Sequence, residues 1–182
     1  MCHRSVLAFV MTRLSTIDIR GKKVLEVGSF DVNGSPRWII ELLEPESYIG
    51  VDIRPGPKVD LTCDAGALVA AFGAESFGVV VSTEMLEHAE DWRGAVSNMK
   101  RVLAPGGLLL LTTRSPGFPL HDYPGDHWRF TKQDALEIFA DMEELEVVED
   151  PMAPGILVRA RKPAVFLEAD LTTKSVPESP RA

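Results

Sequence analysis

The chain is short of several things, and each shortage narrows what it can be. It carries two cysteines in 182 residues, Cys2 and Cys63, far apart and with no CxxC pair. That builds no disulfide framework, and free thiols in a reducing cytoplasm are the expectation. Basic residues are in the minority, 19 Lys and Arg against 27 Asp and Glu, for a net charge of −8. That balance argues against broad phosphate-backbone binding, so nucleic acid is not an expected partner. Long apolar runs are missing too. Val6 to Met11 is too short for a membrane span and has no small-residue cleavage signal, so neither membrane nor export is expected. No segment repeats. The rest is ordinary for a soluble globular chain, 45% apolar and 25% charged. One domain of this length buries roughly 70% of its unfolded surface.

Strand and helix patterns alternate along the chain. Val6, Val10 and Leu14, with Leu7 and Met11, recur at i, i+4 and predict an amphipathic helix over about 3–16, a cover for the sheet or a lid. Strands are expected at 23–27, 48–52, 59–61, 77–82 and 108–113, with two late ones at 145–148 and 156–160. Between them, Ser35-Pro36 is a helix start, with Trp38, Ile39, Leu42 and Leu43 as its apolar face. A short helix over 67–72 closes on Gly73, and Ala95, Val96, Met99, Val102 and Leu103 mark another. "APGG", 104–107, is a turn, and Thr131 with Asp134 resembles a capping box for a helix to about 140. The predicted class is α/β: a Rossmann-like, doubly wound, mostly parallel sheet with helices on both faces and an antiparallel last strand. We expect one domain over 1–162, including an N-terminal helical region, 1–20, and a loop facing the acceptor, 114–131. A loosely structured tail, 163–182, follows, with one helical turn near 166–171.

Ligands of such sheets bind outside the carboxyl ends of the strands. Gly28, Asp52, Asp64 and Ser82 all fall there. A nicotinamide dinucleotide needs a glycine-rich first turn, so that backbone approaches two phosphates at a helix start. Here that frame reads Gly28, Phe30, Asn33, with two glycines gone and Glu26 and Asp31 beside it. A dehydrogenase is therefore disfavoured. An adenosine cofactor with no phosphate and with positive charge suits these acids. S-adenosylmethionine is such a molecule. Asp52 has lone pairs for both ribose hydroxyls, and Asp64 can accept from the adenine amino group while the Ala65 N–H donates to the ring. Taken singly, Gly28 and Asp52 could be turn residues and Asp64 a helix N-cap.

"VLEVGSFDVNGS", "YIGVDIR", "CDAG", "FGVVVSTEMLEHAEDW" and "MKRVLAPGGLLLLTT" resemble, in order, the motifs of class I S-adenosylmethionine-dependent methyltransferases, most nearly the small type 11 kind. The resemblance runs from about Lys22 to Thr113 and more loosely to Lys162. It implies a transferase with S-adenosylmethionine as cofactor and S-adenosylhomocysteine as product. It places Glu26 and Gly28 near the methionine part, Asp52 on the ribose, Asp64 on the adenine, and Ser82 and Glu84 beneath the cofactor. Ser29, Asn33, Ile53 and Ala65 join them as candidate contacts. The chain departs from the family's acid-x-Gly-x-Gly-x-Gly at Phe30 and Val32, so a different loop path through Asn33-Gly34 is expected.

Methyl transfer chiefly needs alignment and exclusion of water, and a base only for acceptors that lose a proton. His88, His121 and Arg129 are the candidate catalytic groups. His88 follows strand four, and the other two lie in "RSPGFPLHDYPGDHWRFT", 114–131, a long loop at the cofactor end of the sheet. Related methyltransferases carry a similar segment, in which His127 stands in a tyrosine's place while His121, Tyr123, Asp126 and Arg129 keep the pattern. Trp128 and Phe130 could instead be core anchors, and Arg129 could tie the loop down through Asp126 or Asp122. His88, His121, Asp122 and His127 have no metal-ligand spacing, so no metal is expected. The expected partner is a small-molecule or glycan-type acceptor for O- or N-methylation, and a homodimer could cover the exposed sheet end. A binding module that has lost catalysis is the alternative.

Overall fold

A computed structural model describes residues 4–121 and 125–179. Its centre is a seven-stranded sheet in the order β3-β2-β1-β4-β5-β7-β6. The strands are β1 (Lys23–Val27), β2 (Ser47–Asp52), β3 (Leu61–Thr62), β4 (Phe77–Thr83), β5 (Leu103–Arg114), β6 (Glu143–Glu149) and β7 (Gly155–Arg161). β1 to β5 pair in parallel, while β7 runs antiparallel to both β5 and β6. The predicted class holds. The antiparallel last strand enters between β5 and β6 because the tight turn at 150–154 folds it back on its predecessor.

β4 and the middle of β5 are buried on both faces, as their uninterrupted Val and Leu runs require. One face packs on α1 (Arg4–Arg13), α2 (Thr16–Ile19) and α3 (Arg37–Glu41) through Val6, Val10, Ile19, Ile39 and Ile40. The other packs on α4 (Leu68–Phe72), α5 (Trp92–Val102) and α6 (Lys132–Ile138) through Leu68, Trp92, Val96, Met99, Ala135 and Ile138. The capping box at Thr131 and Asp134 is formed.

Several expectations are corrected. α1 is shorter than 3–16, and β3 lies one to two residues later than expected. Ile39 and Ile40 enter the core from α3, but Trp38 and Leu42 stay exposed, because that helix is too short to keep one apolar face. "APGG" does not stand outside the strand. It is an irregularity within β5, where the partner of Phe77 is Leu103 and that of Val79 is Leu108. Gly106, with φ 73°, donates to Lys162 O there, so β7 holds the turn. The 163–179 tail has no helix at 166–171, yet it lies on the domain. Arg129 N–H donates to Pro177 O and Ser179 N–H to His127 O, while Val176 is buried and Lys174 pairs with Asp134 and Glu137. Such side-chain and main-chain anchoring has no periodicity to betray it in sequence.

Candidate active site

The cavity opens at the carboxyl ends of β1, β2 and β4 and has a volume of about 750 Å³, within the range of small-molecule sites. Its first wall is the turn after β1. Gly28 adopts φ 81°, and a Cβ there would lie 2.5 Å from Met85 Cβ, so only glycine fits. The turn does not form an open cradle of amides. Gly28 and Ser29 N–H both donate to Val51 O, Phe30 N–H to Asp52 Oδ2, Asp31 N–H to Pro57 O and Gly34 N–H to Asp31 Oδ1. Phe30 occupies the place of a motif glycine because its ring lies on Gly56, where a Cβ would sit 2.1 Å from the ring edge. The Arg54 guanidinium lies over the Phe30 ring, 5.3 Å from its centroid. A diphosphate meets bonded amides here and acids beside them.

The acids follow strand by strand. Glu26, in β1, is buried and accepts from Tyr48 Oη at 2.9 Å and, at longer range, from Ser35 Oγ. Burial pushes its carboxyl up to about 7, against the pull of Tyr48, Ser35 and Arg37. Asp52 ends β2, where its carboxylate takes the Phe30 and Arg54 N–H groups and borders the cavity. Asp64 caps a single helical turn at Ala65–Ala67 through Gly66 N–H, 2.7 Å, and also lines the cavity. Thus the turn-acid and N-cap readings hold without removing either residue from the wall. Glu84 has φ 55°, an unfavourable conformation for a side chain. Thr112 fixes it through its carbonyl and hydroxyl, and Arg114 pairs with its carboxylate. Burial and Glu87 push the Glu84 carboxyl up, while Arg114 pulls it down.

Of the sequence candidates, Glu26, Gly28, Ser29, Asp52, Ile53, Asp64, Ala65, Glu84 and His88 line this one cavity. Asn33 does not; it is exposed in the bend outside it, and Gly34 and Ser35 line the wall instead. Ser82 is fully buried within β4 and is likewise not on the wall, because the strand continues to Thr83, which is. Phe30, Cys63, Met85 and His127 line it without having been singled out for the cofactor. Phe30, Cys63 and Met85 lie just beyond strand ends, and His127 lies in the long loop after β5; those places are the signal the sequence carries for them.

The 114–131 loop sorts into two roles. Phe130 is a core anchor, edge-on to Trp92 at 5.7 Å, and Trp128 donates to Ala89 O. Arg129 is corrected. Its guanidinium is buried and donates to Asp126, to Ser179 Oγ and to the Trp128 carbonyl, so it ties loop and tail together and does not face the cavity. Burial raises the Asp126 carboxyl, but Arg129, the His121 N–H and Ser179 bring it well below the usual carboxylate range. His121 lies behind His88, with ring centroids 4.7 Å apart, and is not on the cavity wall. The nearby Glu87 carboxylate raises its pKa, outweighing burial, and Asp126 adds to the rise. Asp122 and Tyr123 lie outside the described residues. His88 and His121 have no metal-ligand spacing in sequence, yet the fold brings them together with Glu87. Among the described residues, no helix is long and apolar enough to cross a membrane.

Residues 3–145 match a family described as a methyltransferase domain. A curated relative, phthiotriol/phenolphthiotriol dimycocerosates methyltransferase 1 of Mycobacterium ulcerans, is 32% identical over 122 residues. The match covers 60% of this chain and 44% of that protein, so the chain spans less than half of its relative. Among solved structures, the 1,6-didemethyltoxoflavin-N1-methyltransferase of Burkholderia thailandensis, solved with S-adenosylhomocysteine, aligns with TM-score 0.63 and 17% identity over 88% of this chain and 77% of its own. A methyltransferase from Bacillus halodurans aligns with TM-score 0.62 and 20% identity over 86% and 98%. The two structures share the fold, and the family match supplies the membership: this chain belongs to the methyltransferase domain family.

Proposed function

We propose that the protein is an S-adenosylmethionine-dependent methyltransferase acting on a small polar acceptor. The observation that carries this reading is the acid-lined cavity beside a first turn whose Gly28, Ser29, Phe30, Asp31 and Gly34 amides are already bonded, a site for a cationic, phosphate-free adenosine cofactor. Glu26 faces the methionine end, Asp52 the ribose, and Asp64 with the Ala65 N–H the adenine. The activated methyl then points to the His88 and His127 side, where the acceptor lies.

The reaction forms one bond from the acceptor atom to the methyl carbon and breaks one bond to the sulfonium sulfur. Charge is lost from sulfur, and any acceptor proton must leave. The protein's work is alignment and exclusion of water. Proton acceptance falls to the Glu87, His88 and His121 cluster, of which His88 borders the cavity. Asp126 and Arg129 act as positioning residues behind it. The relative is named for phthiotriol and phenolphthiotriol dimycocerosates, and the Burkholderia enzyme for methylation at N1. An oxygen or a nitrogen acceptor is therefore in keeping with this end of the cavity.

Titration calorimetry with S-adenosylmethionine, S-adenosylhomocysteine and NADH tests the cofactor step. Both sulfur ligands should bind and NADH should not. Binding of NADH alone would overturn the reading. A methyl-transfer screen over small hydroxylated and amino acceptors, with glycans included, then tests the second half.

A further inference from the structure

The turn after β4 and the loop after β5 bring three metal-ligating side chains to one point. Glu87, His88 and His121 each offer an atom within 4.8 Å of the other two. Glu87 Oε1 lies 3.7 Å from His121 Nε2 and 4.0 Å from His88 Nε2, both too long for hydrogen bonds. Glu87 is fully buried. Its Oε2 accepts from the Thr113 hydroxyl at 2.8 Å, while Oε1 has no hydrogen-bond partner among the described residues. A buried carboxylate oxygen aimed at two imidazole nitrogens and bonded to neither calls for an explanation.

The two histidines are oriented as ligands are. His88 Nδ1 meets the Gly125 carbonyl, and His121 Nδ1 lies 2.9 Å from Asp126 Oδ2. An acceptor at Nδ1 places the N–H of a neutral ring there and leaves the lone pair on Nε2, the nitrogen turned toward Glu87. In those tautomers two lone pairs and a carboxylate oxygen converge on one volume, and a cation binding there displaces the proton that Glu87 otherwise favours on the His121 ring. Carbonyl–imidazole and carboxylate–imidazole pairs are the outer supports that metal ligands carry.

The geometry points to a binding site for one divalent transition-metal cation of the zinc class, held by Glu87 Oε1, His88 Nε2 and His121 Nε2. Bonds of about 2.0–2.2 Å set tetrahedral ligand atoms roughly 3.3 Å apart, so small side-chain rotations close the observed distances. Mixed imidazole and carboxylate ligands favour zinc over magnesium or calcium, which prefer oxygen. Three protein ligands leave a position open for water or an acceptor oxygen. Because His88 also lines the cavity, the ion borders the acceptor end and clamps the 114–131 loop to the β4 turn. With the ion bound, an acceptor hydroxyl coordinated to it is acidified and passes its proton to solvent, which replaces the proton acceptance proposed above for the metal-free cluster. Cation binding is independent of the cofactor reading.

Protein dialysed against chelator and then freed of it is titrated with zinc by calorimetry, and with cobalt by visible absorption. One equivalent of zinc should bind, and cobalt should show the intense visible band of a tetrahedral site. Glu87→Gln and His121→Ala should each weaken zinc at least about tenfold. Excess magnesium or calcium should not compete. Thermal midpoint and S-adenosylhomocysteine affinity report whether each variant is folded. If His121→Ala does not fold, Glu87→Gln, which keeps the side chain's shape, decides. No zinc binding at about 100 µM free ion, or undiminished binding in the folded variants, overturns the site in favour of a metal-free ion-pair cluster. Zinc binding without S-adenosylhomocysteine binding would count against the cofactor reading and leave the cation site standing.

Discussion

Replacing Glu26 by glutamine keeps the shape of a buried wall residue and removes its proton equilibrium. In the folded chain burial holds this carboxyl at about 7, against an ordinary value of 4.5. The folded state therefore keeps a proton that the unfolded chain loses. Stability from this group is fully present below about 4.5 and is lost as pH rises through about 7, the opposite of the usual salt-bridged carboxylate. The two values correspond to about 3 kcal/mol between the acidic and alkaline limits. Glutamine retains an acceptor for the Tyr48 hydroxyl, which donates to Glu26 at 2.9 Å. Relative to wild type, Glu26→Gln should thus be more stable at pH 8 than at pH 5 by up to about 3 kcal/mol. Urea unfolding of both proteins at several pH values measures the difference, and groups common to both cancel. A cationic ligand adds a second signature. It favours ionised Glu26, so affinity should fall by at most about tenfold per pH unit below 7 in the wild type and less steeply in the variant. A stability difference independent of pH would refute the buried-acid argument. A pH-independent affinity alone would refute only the placement of the cofactor's charge beside Glu26.

Asp52→Ala should weaken S-adenosylhomocysteine by roughly 10- to 150-fold, one charged hydrogen bond of about 1.5–3 kcal/mol, as read by calorimetry on protein with unchanged circular dichroism. Gly28→Ala should destabilise the domain by about 1–3 kcal/mol. Met85→Gly, which removes both the Cβ and the Cγ met at 2.5 Å, should reduce the Gly28→Ala penalty but not remove the part due to φ 81°, and an equal Gly28→Ala penalty in the wild-type and Met85→Gly backgrounds would contradict this. Arg129→Ala leaves the buried Asp126 carboxylate without its guanidinium, a loss of about 3–5 kcal/mol. Limited proteolysis should then cut the 163–179 segment faster, and a drop in turnover with an unchanged cleavage rate would return Arg129 to the acceptor site.

Why some of this was legible in sequence and some was not follows from the range of the forces. β4 and β5 announce themselves because a strand buried on both faces must be apolar throughout, and Val79 to Val81 and Leu108 to Leu111 are. Once those strands are parallel, the residues at their carboxyl ends must converge, and Glu26, Asp52, Asp64 and Glu84 do so on one cavity. The first turn was readable as a departure, but not its path: Phe30 depends on Gly56, whose missing side chain leaves room 26 positions away. Asn33 stands off the cavity wall for a related reason, since local spacing does not fix where a bend points. Arg129 shows the limit most clearly. Its partners include Asp126, three residues away, and Ser179, fifty away. The first partner was a visible alternative. The second lies in a tail whose composition suggested looseness, and that tail contact turns a plausible substrate anchor into a buried strut. The Glu87, His88 and His121 cluster has the same origin. No spacing rule links positions 88 and 121, and only the pairing of β4 with β5 brings the loop after one against the turn after the other.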